Sequence, residues 1–516
     1  MADKRNRILM ALIILAFFAG TLALSRQRTI DGDEGYYATA ARLVSEGKTP
    51  YLDFFYPQMP LLPYIYAPAY KLAGSSLANM RLMSVAAGVL AVVLWGLMLR
   101  RRRPEHAGIL LAGLALVAMN PYFLSWNVTV KTYALTNLAV FGAWWALDRG
   151  LHSRRLWWFA AAGLAAGLGV GVRLLYLPWA GMLALALGWL QWREGGRGFR
   201  LGNMAAYLAG LVLGLAPSMV FFALDPDRFH FNNLAYHQLR YSFLVKDGVG
   251  LGGRVLAAIS ALGKALFLNP FMVFQLILVG FGIDWIRRNP GNPLRPLVII
   301  SGFGAAAHTV ACLFPDPVYE QYFTGPLTPL LAPLVVAGLV RVVGLVKKPG
   351  PVIAGVLVLA AVLSVVDLQV RKTGMDWEEV WTFEHLAKVS AAIEARTEPD
   401  DVVMAFWPGY VFETGREYLR GLENQFALGV SEKLDLVQKD HYHVAGKELV
   451  LMAFDMQYPE VVVLGAWMHE LNTTIDQRHL PIILEELEAK YELREYYGES
   501  KVLTRKAVPD GKADAP

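Results

Sequence analysis

Long uninterrupted apolar windows constrain this chain more than any other feature. A membrane-spanning helix needs roughly 20 mostly apolar residues. Windows of that kind recur along the first 367 residues and then stop. They fall near 8–24, 77–99, 107–124, 132–147, 156–172, 174–191, 203–223, 264–286, 297–314, 326–346 and 350–367, about eleven spans by the length criterion. Only 18% of the residues are charged, below the quarter or so typical of soluble domains. The expected class is therefore a polytopic α-helical membrane protein. The first apolar run reads as a retained span rather than a signal peptide, because it is long, lacks a clear small-residue cleavage site and is followed by further spans.

Charge orients the spans. The loops "DKRNR", "RRRR" (100–103), "DRGLHSRR", "REGGRGFR", "RRNPGNPLR" and "VKK" alternate with less basic ones, and basic loops face the cytoplasm. The net charge of +5 is thus an orientation signal, and no nucleic-acid partner is expected. The opposite loops, 25–76, 125–131, 224–263 and 315–325, and the tail from about 368 are expected outside.

The outer side holds the chemistry-bearing residues. "TIDGDEGYYATAARL" (29–43) places Asp31, Asp33 and Glu34 directly after the first span. Residues 34–46 carry Tyr37, Ala40, Ala41 and Val44 at helical spacing, with Arg42 and Glu46 opposite, which predicts a helix lying in the interface. "LDFFYPQMPLLPYIYAPAY", dense in aromatics and proline, predicts a second interfacial helix with headgroup-level anchors. Asp33 stands where the first helix begins, so it reads equally as an N-cap or as a working carboxylate. Asp31-Gly32 reads as an ordinary turn.

The tail alternates helices and strands: "WTFEHLAKVSAAIEART", "DDVVMAF", a helix around 443–455, "EVVVLG", "LPIILEELEAKY", "ELREYYG" and "SKVLTRK". That pattern predicts a small α/β domain. The expected division is 1–367 in the membrane, with the first outer loop at 25–76, and 368–516 outside. "GLGVGV" (167–172) lies inside a span, where small residues serve helix packing. The single cysteine, Cys312, excludes a disulfide framework and is expected in packing, as is His308. His230, His237 and Arg240 could bind acceptor or phosphate, but an ordinary hydrated loop explains them better, and no metal-spaced His/Cys cluster is present. The sequons at Asn127 and Asn472 are short enough to arise by chance.

The stretch "DEGYYATAARLVSEGKTPYLDFFYPQMPLLPYIYAPAYKLAGSSLANMRLMSVAAGVL" (33–90) resembles the first outer loop and second span of bacterial C-type (GT-C) glycosyltransferases. These polytopic enzymes are related to protein O-mannosyltransferases and lipid A aminoarabinose transferases. Looser similarity runs through 125–147, 163–185 and 319–339 and into the tail. The resemblance implies a GT-C-like fold in the inner, cytoplasmic membrane. It also implies a donor made of a sugar on a polyprenyl phosphate, and an acceptor hydroxyl on a lipid, glycan or protein at the outer face. The sugar would pass with inversion. No cofactor follows with certainty, and a divalent metal is left open.

Residue by residue, Asp33 aligns with the family's catalytic Asp and Glu34 with its partner. Asp53 matches the acid of a "PY-x-D" turn, expected near the acceptor. Lys131 matches a basic position and, with Arg173, is expected at the donor phosphate; a charge between apolar runs is expensive and usually functional. Tyr319, Glu320, Gln321 and Tyr322 lie where relatives place polar contacts. Two departures stand out. Gln58 replaces a frequent Lys, and Tyr133 replaces a frequent acid, which weakens the case for a two-carboxylate metal site. The competing class is a transporter or a non-catalytic component of envelope glycan assembly. A transporter would favour broken midplane helices and symmetry between halves, neither of which is evident.

Overall fold

The computed structural model describes residues 2–101, 107–193, 201–244, 251–315, 318–373, 380–465 and 480–506. The basic loops 102–106 and 194–200 and the sequon Asn472 lie outside the described residues.

All eleven apolar stretches are helical. They form α1 (Ala2–Gln27), which precedes the outer-loop helices α2 (Glu34–Ser45) and α3 (Leu61–Ala73), then α4 (Leu77–Arg100), α5 (Ala107–Ala118) with the short α6 (Pro121–Trp126), α7 (Thr132–Ser153), α8 (Leu156–Val172), α9 (Leu177–Arg193) and α10 (Leu201–Leu224). After α11 (Pro226–His230), α12 (Tyr236–Leu244) and α13 (Leu251–Phe267) come α14 (Pro270–Arg288), α15 (Arg295–Ala311), α16 (Gln321–Val343) and α17 (Pro349–Thr373). Six of the described helices, α1, α4, α10, α14, α16 and α17, are long and apolar enough to cross a membrane, and α5, α8 and the segment 174–190 are shorter apolar helices. The chain is a multi-pass membrane protein.

Two expected spans are interrupted, for the same local reason. The stretch 264–286 divides at Asn269-Pro270 and 107–124 at Asn120-Pro121. Proline disfavours helical geometry in the residue before it yet suits the first position of a new helix. Each asparagine then occupies the break. The Asn120 side chain accepts from Phe123 N–H at 2.9 Å, and Asn269 Nδ2 donates to the carbonyls of Lys264 and Ala265 at the end of α13.

Glycines set the closest helix approach. A Cβ on Gly163 would lie 1.9 Å from the Tyr207 carbonyl, and one on Gly210 would lie 1.9 Å from that of Ala160, so α8 and α10 meet backbone to backbone. Gly338 of α16 meets the Leu278 carbonyl of α14 in the same way. Between membrane helices, where lipid is as apolar as Leu, such close packing supplies the attraction.

The α/β part follows α17. It contains α18 (Phe383–Glu394), β1 (Val402–Ala405), α19 (Pro408–Thr414), β2 (Glu417–Tyr418), α20 (Ala427–Ser431), α21 (Leu436–His441), α22 (Lys447–Asp455), β3 (Val461–Leu464), α23 (Leu480–Lys490), β4 (Tyr491–Tyr497) and β5 (Ser500–Arg505). The sheet order is β2-β1-β3-β5-β4. The first three strands are parallel, and β5 joins antiparallel to both β3 and β4. The expected helices and strands are present; α19, β2, α20 and α21 are additional, too short to show a period.

This domain covers the first outer loop, and one apolar core (Tyr36, Tyr37, Leu62, Val389, Tyr410, Phe412) runs through both. That burial changes the expected setting of α2. Instead of floating half-exposed at an interface, α2 is buried from Glu34 to Leu43. Arg42, expected on a wet face, donates to the Arg416 carbonyl at 2.6 Å and pairs with Glu417 at 3.0 Å. Gly35 makes the contact possible: a Cβ there would lie 2.7 Å from Gly409 N and 2.8 Å from Trp407 Nε1.

Candidate active site

The α2 N-terminus begins with a turn that the sequence dictates. Asp31 Oδ1 accepts from Asp33 N–H at 3.0 Å, a side-chain-to-backbone bond two residues on. Asp33 occupies the N-cap position, yet its carboxylate makes no capping bond. It turns instead to Lys131, whose Nζ lies 2.8 Å from Asp33 Oδ2 and 2.8 Å from Asp31 Oδ1. The same ammonium donates to Gln321 Oε1 at 2.8 Å and sits over the Trp126 ring at 5.4 Å. Lys131 is buried. Burial would lower its pKa, but Asp31 and Asp33 outweigh it and hold the ammonium charged, above the ordinary lysine range. Burial likewise pushes the Asp31 carboxyl up, and Lys131 with Arg28 brings it below the usual carboxylate range. Asp31, expected to be only a turn residue, is both a turn and an ion-pair partner.

Glu34 points the other way. Its two oxygens take Arg81 Nε at 2.8 Å and Nη2 at 2.5 Å, and they also accept Asp31 N–H at 2.8 Å and Val130 N–H at 2.9 Å. Arg81 directs its remaining donors to the carbonyls of Ser25, Arg28 and Thr29. Both side chains are fully buried. The pair joins the end of α1, the turn that carries Asp33 and the loop that carries Lys131. Arg81 is not among the residues expected from the sequence. Its signal was an arginine near the start of an apolar helix, a place where snorkelling to the interface gives an equally good reading.

Arg173 lies in the break between α8 and α9. Its Nη1 donates to Thr132 Oγ1 at 2.9 Å, and its guanidinium covers the rings of Tyr133 at 4.7 Å and Tyr322 at 5.1 Å. Tyr133 thus offers Arg173 a π-face. Gly325 leaves room for that ring, since a Cβ there would lie 2.6 Å from it. Arg240, read from the sequence as a hydrated-loop residue, faces the same space. Its guanidinium lies over Phe426 at 4.2 Å, and its charge acts on Tyr236, Tyr319, Tyr322 and Asp33. His237 beside it is held down to about 4 by burial and by the Arg240 and Arg173 charges, so it is neutral near pH 7. His230 is exposed.

The remaining expected residues divide. Gln321 and Tyr322 are in the cluster. Glu320 immediately precedes α16 and accepts from Asn269 Nδ2 at 3.1 Å, tying it to the α13–α14 break. Tyr319 stacks edge-on against Tyr322 at 5.6 Å. Asp53 is exposed, and its carboxylate accepts from Thr49 N–H at 2.6 Å to close a turn. Gln58 supplies a carbonyl to the Tyr51 hydroxyl at 2.5 Å. Away from the cluster, His308 Nε2 meets Cys312 Sγ at 3.2 Å inside the bundle.

Carboxylate, ammonium and guanidinium groups are thus gathered at one end of the helices, under a small α/β cap. Chemically, such a site suits an anionic ligand beside a proton acceptor. It does not suit a two-carboxylate metal centre, because Asp31 and Asp33 converge on an ammonium. Among the described residues, no group of three or more His, Cys, Asp or Glu side chains is placed to hold a metal ion.

This architecture is the C-type glycosyltransferase fold, as the first outer loop suggested. The chain superposes on ArnT of Cupriavidus metallidurans, solved bound to undecaprenyl phosphate, with a TM-score of 0.67 at 14% identity, covering 97% of this chain and 98% of that one. The oligosaccharyltransferase of Archaeoglobus fulgidus matches with a TM-score of 0.53 at 14% identity, over 96% of this chain and 73% of that one. A family profile of dolichyl-phosphate-mannose-protein mannosyltransferases matches residues 57–222. In sequence, the undecaprenyl phosphate-α-4-amino-4-deoxy-L-arabinose arabinosyl transferase of Pseudomonas aeruginosa is 27% identical over 216 residues, which are 39% of this chain and 38% of that protein. Its Pseudomonas fluorescens counterpart is 24% identical over 253 residues, 46% and 41% of the two chains. The aligned region therefore spans less than half the length of these relatives.

Proposed function

We propose that the protein is an inverting glycosyltransferase that moves a sugar from a polyprenyl phosphate to a hydroxyl of a lipid, glycan or protein acceptor at the outer face of the inner membrane. Residues 1–367 form its catalytic membrane part, and residues 368–516 its extracytoplasmic cap. The observation that carries this reading is the pairing of Asp33 with Lys131, next in the chain to Thr132 and Tyr133, which hold Arg173, at one end of the apolar helices. The arabinosyl transferase relatives, named for an undecaprenyl phosphate-linked sugar, and the undecaprenyl phosphate bound to ArnT support the donor class.

Each group has a role in one balanced step. The acceptor oxygen attacks the anomeric carbon from the face opposite the phosphate, and its proton passes to the Asp33 carboxylate. The bond between that carbon and the phosphate oxygen breaks, leaving polyprenyl phosphate. An alcohol is a poor nucleophile, so the positioned base is worth roughly 10²–10⁴-fold. Lys131 and Arg173 stabilise the charge that grows on the departing phosphate. Glu34, through Arg81, fixes the turn that presents Asp33.

The test is direct. Purified protein in lipid nanodiscs is given a radiolabelled polyprenyl-phosphate sugar and a membrane extract as acceptor source. Transfer of label, lost in Asp33→Asn, is the expected result. Binding of the donor with no transfer to any acceptor fraction would point to a non-catalytic assembly component.

A further inference from the structure

The Lys131 ammonium has three protons, and three acceptors at 2.8 Å surround it: Asp31 Oδ1, Asp33 Oδ2 and Gln321 Oε1. Two of the N–H groups are taken by the hydrogen bonds to Asp31 and Gln321, and the Asp33 carboxylate fills the remaining side of the ammonium as an ion pair. A phosphate that binds Lys131 must displace one of the three.

The three partners are not equally held. Asp31 is fixed by its second bond, accepting from Asp33 N–H at 3.0 Å, and by the positive charge of Arg28. Gln321 accepts a hydrogen bond from the ammonium at the first residue of α16, where Glu320 is bonded to Asn269. Asp33 meets Lys131 only as an ion pair, and it makes no capping bond to α2. Its carboxylate is the least anchored of the three. It also bears the like charge that a phosphate would meet there.

We propose that Lys131 is a latch: in the empty protein it holds Asp33, and an arriving polyprenyl phosphate takes Asp33's place on the ammonium while Asp31 and Gln321 stay. Resting on the donor reading above, this makes the base available only after the donor has bound. An acceptor hydroxyl, or water, that enters first meets a carboxylate already paired. The latch thereby orders the two substrates, donor before acceptor.

The latch separates affinity from turnover. Removing Asp33's charge abolishes the competing ion pair, so Asp33→Asn binds the donor lipid more tightly while transferring more slowly. Undecaprenyl phosphate, added to full-length protein in nanodiscs and followed by tryptophan fluorescence, serves as the probe. Wild type is compared with Asp33→Asn, Asp33→Ser and Asp31→Asn. Both substitutions at 33 are expected to tighten binding by about 2- to 5-fold, the scale of a partly exposed ion pair. Asp31→Asn, which removes a partner that stays in place, is expected to leave binding unchanged or weaker. Equal or weaker binding by both Asp33 variants, or an equal gain from Asp31→Asn, overturns the latch and leaves the glycosyltransferase reading standing. If wild type does not bind undecaprenyl phosphate at all, the donor reading falls and the latch falls with it.

Discussion

Arg81 holds Glu34 through two parallel contacts, Nε to Oε2 at 2.8 Å and Nη2 to Oε1 at 2.5 Å, with neither side chain exposed to solvent. Removing one member leaves an uncompensated buried charge, which costs about 3–5 kcal/mol. Arg81→Met and Glu34→Leu are each expected to lower the thermal unfolding midpoint of the detergent-purified protein clearly. Because each single change strands the other's charge, the double variant should recover part of the loss. Two single losses that add in full would show that the pair is not a unit.

Asp33→Asn keeps the shape of the side chain and removes its charge. Transfer is expected to fall at least about 100-fold, the lower end of general-base catalysis, with an unchanged unfolding curve. A normal transfer rate would return Asp33 to a purely structural place at the start of α2.

Lys131→Ala and Arg173→Ala should weaken donor-lipid binding by about 1.5–3 kcal/mol each, the range for a hydrogen bond to a charged group. Lys131→Ala also removes the ammonium that pairs with both Asp31 and Asp33, so it alone should cost stability as well. Thermal melts alongside lipid titrations separate the two effects.

Gly35→Ala places a methyl within 2.7 Å of Gly409 N and 2.8 Å of Trp407 Nε1. Backbone cannot yield as a flexible side chain can, so the docking of the α/β domain should loosen by about 1–3 kcal/mol, as for overpacking. Limited proteolysis of the purified protein is the readout; cleavage no faster than wild type would show that the contact relaxes freely.

Outward placement of the α/β domain has its own check. Cys312 is buried, so a cysteine introduced at the exposed Lys388 would be the main accessible thiol. In intact cells it should react with a membrane-impermeant maleimide. Labelling only after permeabilisation would reverse the assigned orientation.

The helices and the principal strands are legible along the sequence, and so are the cluster members Asp33, Lys131, Arg173, Gln321 and Tyr322 as individual residues. Apolar period and length declare a membrane helix wherever it is long, and "EVVVLG" can only be a buried strand. Partnerships are less legible. Gln321 reaches Lys131 across 190 positions, and no local pattern carries that pairing. Arg240 looks like loop solvation until Phe426 of the α/β part is folded beneath it. Arg42 looks like a wet face of α2 until Arg416 and Glu417 arrive. In each case the missing information is the surface that a distant segment lays over a residue, which turns a polar exterior into a buried site.

The Gly32 carbonyl, one residue before Asp33, accepts from both Trp407 Nε1 at 2.9 Å and Gln425 Nε2 at 3.0 Å. Chains are made from the N-terminus, and their parts fold as they emerge. The turn bearing Asp33 is therefore synthesised hundreds of residues before the two side chains that fasten it. While the intervening helices are being inserted, Asp33 has no finished cradle, and a half-made chain in the membrane has no assembled site with which to act on the lipid around it. The turn that carries Asp33 is therefore fastened only once Trp407 and Gln425 have been made and have closed over it.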